Sequence, residues 1–302
     1  MTTVSVIIAT RNRPEMVREA IAAVLNQTFS GVIEVLVVYD QSEPDGSLAA
    51  ASGTRTVRVI RNVRSAGLAG ARNSGIQAST GDYVAFCDDD DYWKPGKLAA
   101  QIQRLENDSA VDFVTCGIAV HYDGQTHDRP LSREVVTFQE LLRDRHTELH
   151  PSTFLMRRSA VVDGFGLVDE AVPGGFGEDY EFLLRASRSH SISHVREPLT
   201  VVRWGGQSYF FRKWQTMSDG LSWVLAKYPE FESSPAGSAR IRGQIAFAHA
   251  AGRNRSSAVR WAASAIRRNP LEPRASLALA VATGLLSPDR VMTELHKRGR
   301  GI

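Results

Sequence analysis

The chain has 302 residues, 43% of them hydrophobic, enough to pack one large domain or a domain with an appendage; disorder is excluded as the default. The formal net charge of +3 conceals an asymmetry: from Pro235 onward twelve Lys or Arg face three Asp or Glu, a balance of +9, which leaves −6 for residues 1–234. No apolar stretch reaches the roughly 20 residues that span a bilayer, Ala275 to Leu286 coming nearest, so a soluble, cytoplasmic protein is expected.

Met1 to Thr10 has no basic region ahead of its short apolar run, so it reads as a first strand, Val4 to Ala9, and not as a signal segment. Asn12 is placed to cap a following helix, with Pro14 in the first turn and Glu15 three residues after the cap. Val17, Ala20, Ile21, Val24 and Leu25 then recur at helical spacing and give that helix one apolar face. Ile33 to Val38 is a second apolar strand, which stops at Tyr39-Asp40-Gln41-Ser42, and Thr56 to Ile60 is a third. Ala66 to Gly75 is a small-residue stretch leading into a helix that ends near Ser79. Its glycines either cradle a phosphate, with Arg72 as a fixed positive charge, or serve tight packing of helix on sheet. The alternation of strand and helix predicts a largely parallel α/β sheet.

Tyr83 to Cys87 reads as a buried strand, and it runs straight into Asp88, Asp89, Asp90 and Asp91. Four adjacent carboxylates repel one another, and the C-terminal ends of strands are where open α/β sheets bind ligands. Mn²⁺ or Mg²⁺ would relieve the repulsion and leave room for diphosphate oxygens. An isolated acidic run is more often a solvated turn; the buried strand before this one and Tyr92-Trp93 after it favour the metal.

Beyond Trp93, Pro95 opens a helix through about Glu106, and Val111 to Val120 is another strand. His121 to Arg133 reads as a polar loop, Phe138 to Leu142 as helix and Ser152 to Met156 as a short strand. Cys87 and Cys116 fall in strand contexts without metal-ligand spacing and read as buried thiols. Gly164 to Gly177 carries five glycines and empties into Glu178-Asp179, at the first turn of a helix whose dipole favours negative charge. Leu199 to Trp204 is a last strand, Gly205-Gly206 a break, and the remainder a helical appendage on which Ala258, Trp261, Ala262, Ala265 and Ile266 trace one face. Its basic character suits an anionic membrane surface or nucleic acid, or is simply a solvated helical face.

Five of these motifs, in order, resemble the inverting glycosyltransferases of family 2, which have the GT-A fold. They are Ser5 to Arg13, Val38-Tyr39-Asp40-Gln41-Ser42, Ala71-Arg72-Asn73-Ser74-Gly75, Asp88-Asp89-Asp90 and Glu178 to Arg185, and the resemblance covers residues 3 to about 208. It implies a Rossmann-like, mixed, mainly parallel sheet flanked by helices. Residues 1–120 would form the nucleotide-sugar-binding half, 121–208 the acceptor-binding part of the same domain, and 209–302 a basic helical C-terminal region.

The activity implied is metal-dependent transfer of a sugar from a nucleoside-diphosphate donor to an acceptor hydroxyl, with inversion in a single displacement. The donor is of UDP type, with dTDP or GDP as alternatives, and the acceptor is a glycan or a lipid-linked sugar; no nucleic acid is expected. Thr10, Arg11 and Asp40 would meet the nucleoside, Arg72, Asp88 and Asp89 the donor, and Asp90 with Asp88 the Mn²⁺ or Mg²⁺. Asp179 would be the catalytic base and Glu178 would hold sugar hydroxyls, while Trp93 is a candidate to stack on a sugar. Two departures stand out. The base turn has Tyr39-Asp40 where the family more often has two aspartates, and Arg203-Trp204-Gly205-Gly206 lacks the His that many members carry, which makes His150 the candidate for that ligand. The rival readings are a catalytically silent sugar-nucleotide module and, behind it, a nucleotidyltransferase, whose glycine-rich loop is missing after the first strand.

Overall fold

The computed structural model describes residues 1–204 and 212–297, so the expected break at Gly205-Gly206 lies outside the described residues. The chain divides into two compact units: Met1–Phe138, His146–Glu170 and Phe182–Gly205 form the first, and Gln139–Arg145, Ala171–Glu181 and Gly206–Ile302 the second.

The first unit opens with β1 (Thr3–Thr10), α1 (Pro14–Leu25), β2 (Val32–Tyr39), β3 (Ala50–Ser52), β4 (Arg55–Arg61) and α2 (Leu68–Ala78). It continues with β5 (Tyr83–Phe86), β6 (Tyr92–Trp93), α3 (Lys97–Asn107), β7 (Phe113–Tyr122), β8 (Gln125–Arg129) and β9 (Val135–Val136). Strands β10 (Leu155–Arg157) and β11 (Ile192–Arg203) complete it, while α4 (Phe138–Arg143) lies almost wholly in the second unit and α5 (Glu178–Ser187) begins there and continues in the first from Phe182. The strands form one sheet in the order β3-β4-β2-β1-β5-β10-β7-β11-β6, with β8 added to β7 and β9 to β11. Strands β4, β2, β1 and β5 are parallel, while β10 is antiparallel to both β5 and β7. The expected mixed, mainly parallel architecture is thus present.

Parallel alignment of β2, β1 and β5 is what builds the site. Thr10 pairs with Tyr39, and Ile7 with Phe86, so Thr10, Asp40 and Asp88 leave the sheet at the same edge. Helix α2 lies close on β1: a Cβ added at Gly75 would come 2.5 Å from the Ile7 side chain. Gly75 serves close packing of helix on sheet, one of the two readings, whereas a Cβ at Gly67 would meet open space. One core layer joins Val6, Ile8, Val35, Val37 and Ala85 to Val17, Ile21 and Leu98 of the helices. Phe86, Phe113, Phe154, Phe165 and Phe182 cluster with ring centroids 4.9–6.3 Å apart.

Several local expectations change. Asn12 sits in the left-handed region (φ 55°) and does not cap α1, whose cap position is Arg13 without a side-chain bond. His121 to Arg133 is not a plain loop: β7 runs to Tyr122 and turns through Asp123-Gly124, both at positive φ, into β8. That is the two-residue hairpin turn that Asp-Gly favours. Pro151–Thr153 is a 3₁₀ turn, and the strand starts only at Leu155. The last strand begins seven residues earlier than read, at Ile192, and its pairing with β7 shifts around Pro198.

The second unit holds α6 (Trp214–Lys227), α7 (Pro235–Ala251), α8 (Arg255–Arg268), α9 (Pro273–Ala282) and α10 (Pro288–Lys297). Its core is built largely of alanine, including Ala246, Ala250, Ala258, Ala262, Ala265, Ala275 and Ala278, around Phe247. Trp261 and Ile266 pack against that core, as their helical spacing predicts. Among the described residues, no helix is long and apolar enough to cross a membrane.

Candidate functional site

The strand β5 delivers the chain to a tight turn. The Asp91 amide donates to the Asp88 carbonyl at 3.1 Å, closing a four-residue turn over Asp88–Asp91. Such a turn brings its first and fourth residues to one side, whereas an extended chain would align the first and third. Asp88, Asp91 and His150 accordingly gather with ligand atoms within 4.8 Å of one another, and His150 Nδ1 is 3.3 Å from Asp91 Oδ2. The Asp90 carboxylate points instead to Arg13, at 2.8 Å, and shares that guanidinium with Asp89 at 2.9 Å. Of the expected metal pair, Asp88 stands with Asp91 and His150, while Asp90 is held by Arg13.

Charge at the turn is heavily one-sided. Arg72, almost wholly buried, donates to Asp88 Oδ1 at 2.7 Å and lies over the Phe86 ring. Arg13 and Arg72 face four carboxylates. Burial, followed by repulsion from Asp88 and Asp90, raises the Asp91 carboxyl well above its ordinary range, and burial with repulsion from Asp88 and Asp89 raises Asp90. Two carboxylates and an imidazole, crowded in surplus negative charge, fit a divalent cation such as Mn²⁺ or Mg²⁺.

The remaining nucleotide-side residues adjoin the turn. Thr10 donates its hydroxyl to Asp89 Oδ2 at 2.7 Å, and Arg11 is exposed beside it. Asp40 is buried; its oxygens accept from the Gly67 amide at 3.1 Å and from Asn62 and Gln41 at 2.9 Å, so it fastens the turn ahead of α2. Gly67 there has φ 118°, which only glycine adopts readily.

Trp93 requires a correction. It is buried in the core, with Nε1 donating to the Ser152 carbonyl at 2.8 Å and Lys97 Nζ 3.7 Å from the ring centroid. That leaves no ring face for a sugar. Cys87 and Cys116 are buried free thiols, as read, and burial raises both.

Glu178 and Asp179 occupy the first turn of α5, as expected, and belong to the second unit. Asp179 Oδ2 pairs with the Arg145 guanidinium, while Oδ1 accepts from the Tyr180 amide at 2.7 Å. Glu178 is buried. Further along the helix Glu181 is fully buried, with Lys227 at 2.7 Å and the Tyr228 hydroxyl at 2.9 Å. Arg185, the arginine that follows the acidic pair, donates to the carbonyls of Phe165 and Leu167 and so holds the start of the glycine-rich stretch. Arg13, Asp91 and Arg145 received no role from the sequence; for Asp91 the signal was present in the run of four acids, and Arg145 gives none.

Comparison with known proteins follows the same lines. The family model for glycosyl transferase family 2 matches residues 5–165. The uncharacterized glycosyltransferase YwdF of Bacillus subtilis is 27% identical over 195 residues, 64% of this chain and 70% of that protein. Among such curated relatives the matched stretch spans from 41% to 70% of their length. S. aureus TarS residues 1–349, solved with UDP-GlcNAc, superposes with a TM-score of 0.59 at 19% identity over 99% of this chain and 93% of that one. The mannosyltransferase PcManGT from Pyrobaculum calidifontis, solved with GDP-Man and Mn²⁺, gives 0.57 at 19% identity over 96% and 83%. These likenesses establish the GT-A fold. With that fold and a family model matching more than half its length, the chain belongs to glycosyl transferase family 2.

Proposed function

We propose that the protein is a metal-assisted, inverting glycosyltransferase that moves a sugar from a nucleoside-diphosphate donor, UDP-type first, to a hydroxyl of a glycan or lipid-linked acceptor. The observation that carries this reading is the Asp88–Asp91 turn, which gathers two carboxylates and His150 beside the buried Arg72 at the C-terminal edge of parallel strands. The bound UDP-GlcNAc of TarS and the GDP-Man and Mn²⁺ of PcManGT support a nucleotide-sugar donor and a cation.

Asp88, Asp91 and His150 would hold the cation, which when bound supplies positive charge against the negative charge that grows on the leaving diphosphate. Arg72 adds a fixed charge on the same side. Thr10, Arg11 and Asp40 serve the nucleoside end, Asp40 through the Gly67 turn that it fastens. Asp89 and Asp90 orient Arg13. Asp179 takes the acceptor proton as the acceptor oxygen bonds to the anomeric carbon and the carbon–oxygen bond to the diphosphate breaks. One base and no covalent intermediate invert that carbon. Glu178 holds sugar hydroxyls.

The test is a thermal-shift screen against nucleoside diphosphates and nucleotide sugars, each with Mn²⁺ and with chelator, followed by NMR of the product anomer. Ligand binding to the folded state raises the melting temperature. Metal-dependent stabilisation by one nucleotide family and an inverted product are expected. Stabilisation by a nucleotide sugar with no turnover would favour the silent module, absence of any shift would count against a nucleotide-sugar donor, and a retained anomer would remove Asp179 from the role of base in a single displacement.

A further inference from the structure

Arginines in this protein mostly meet carboxylates. Arg13, Arg58, Arg72 and Arg129 do so in the first unit, and in the second Arg242 and Arg268 share Glu232. Arg253, Arg255 and Arg290, like Arg260 and Arg267, are different: all are exposed, and none has a carboxylate partner among the described residues.

Arg253, Arg255 and Arg290 lie at one end of the helical unit. Arg253 lies in the turn between α7 and α8, Arg255 opens α8, and Arg290 lies in the first turn of α10. The chain entering α6 ties the two places together. Arg212 pairs with Asp289 at 2.7 Å, while the Trp214 ring meets Phe247 at 5.9 Å and its Cβ lies 3.5 Å from where a Cβ at Gly252 would stand. The α9–α10 turn, just ahead of Asp289, carries Leu285 and Leu286, 80% and 40% exposed.

A single exposed leucine needs no explanation, but two consecutive ones at a helix turn, accompanied by three unpaired arginines, form a small amphipathic surface. We infer that this end of the helical unit docks on an anionic lipid surface, Leu285 and Leu286 entering the boundary of headgroup and acyl chain while Arg253, Arg255 and Arg290 meet lipid phosphates. A second copy of the chain is a poorer occupant, because a two-fold contact would set arginine against arginine. Nucleic acid would satisfy the arginines and leave the leucines without a partner. The inference rests on the helical unit alone and stands apart from the donor chemistry. The surface is small, so attachment is reversible and weakens as salt screens it.

Flotation of the full chain with vesicles of phosphatidylcholine, with and without phosphatidylglycerol, tests this. Binding is expected only with phosphatidylglycerol present and should fall as salt rises. Each basic residue near such a surface is worth about fivefold in partitioning, so R253E/R255E should lose roughly twenty-five-fold or more. L285S/L286S should also release the protein, at unchanged melting temperature. Both variants should keep the turnover of the parent on a soluble acceptor without vesicles, which reads the transferase proposal separately. Equal binding to neutral vesicles, or binding that neither variant reduces, overturns the inference. So does a duplex oligonucleotide that binds as tightly as the anionic vesicles and ignores L285S/L286S.

Discussion

The Ser152 hydroxyl donates to Asp91 Oδ2 at 2.5 Å, and it also accepts from the Asp88 amide at 2.9 Å. One fully buried oxygen thus fixes both ends of the acidic turn, while the Ser152 carbonyl takes the Trp93 indole. Groups that orient the ligands of a metal tune its affinity, and their loss costs about 10–100-fold. Ser152→Ala should therefore weaken Mn²⁺ binding by that factor, read by calorimetry or water-proton relaxation. Two buried polar groups also lose a partner, so stability should fall by about 1–3 kcal/mol. A variant that melts earlier yet binds Mn²⁺ like its parent would reduce Ser152 to a structural residue.

Glu170 gives a second test, through pH. Burial alone would raise its carboxyl, but hydrogen bonds from Asn73, Ser65 and Arg64 outweigh burial and bring it down to about 2. Asn73 also holds Val168 through its amide and carbonyl, so this cluster fastens the glycine-rich stretch to α2. A carboxyl lowered in the folded state stabilises the protein above its unfolded value of 4.5, and that stability drains away as pH falls from there towards 2. Glu170→Gln should therefore melt earlier than the parent at neutral pH, and the gap should narrow as acid is added. A gap independent of pH would mean that the interaction is not ionic.

Much of the frame was legible in the sequence because short apolar runs ending at Asp40 and Asp88 have few places in an α/β protein other than parallel strands. The site was legible to the level of motif and not of geometry. Asp88 and Asp90 come from the resemblance to the family's acidic motif; the bond from the Asp91 amide to the Asp88 carbonyl closes a turn that also brings Asp91 beside Asp88. The third member, His150, is named only through the resemblance, as the candidate for the family's missing His; it caps a 3₁₀ turn 59 residues downstream of Asp91, a distance at which no local pattern operates. Lys97 escaped notice for a similar reason. It lies on the inward face of α3, fully buried, donating to Gln101 at 2.8 Å, and burial lowers it to about 8. Gln101 in turn donates to the Thr153 carbonyl at 2.7 Å, beside Ser152. Helical periodicity expects apolar residues on that face, and the partners that make a lysine tolerable there come from other elements.

His194 should make the protein sensitive to mild acid. It is buried in β11, with Nδ1 2.9 Å from the Thr115 hydroxyl and Nε2 without a partner, and burial, reinforced by His146, lowers it to about 4. In the unfolded chain it takes a proton near 6.5, so between 6.5 and 4 the unfolded state binds more protons and stability falls with pH. The full span is worth on the order of 3 kcal/mol. His194→Gln should remove this part of the slope in urea denaturation across that range. A slope as steep as the parent's would assign the acid sensitivity to other groups.

The proposed base is the most direct target. Asp179 keeps its place through Arg145 on one oxygen and the Tyr180 amide on the other, and an asparagine can retain the second contact through its carbonyl. Asp179→Asn should therefore fold and bind donor nearly as the parent does, yet it cannot take the acceptor proton. General-base catalysis contributes about 10²–10⁴-fold, so turnover should drop by that factor while the metal-dependent thermal shift with donor persists. Loss of donor binding along with turnover would instead make Asp179 a donor ligand. Near-normal turnover would return it to the role of an acid at a helix N-terminus, worth about 0.3–1 kcal/mol of stability and nothing to the chemistry.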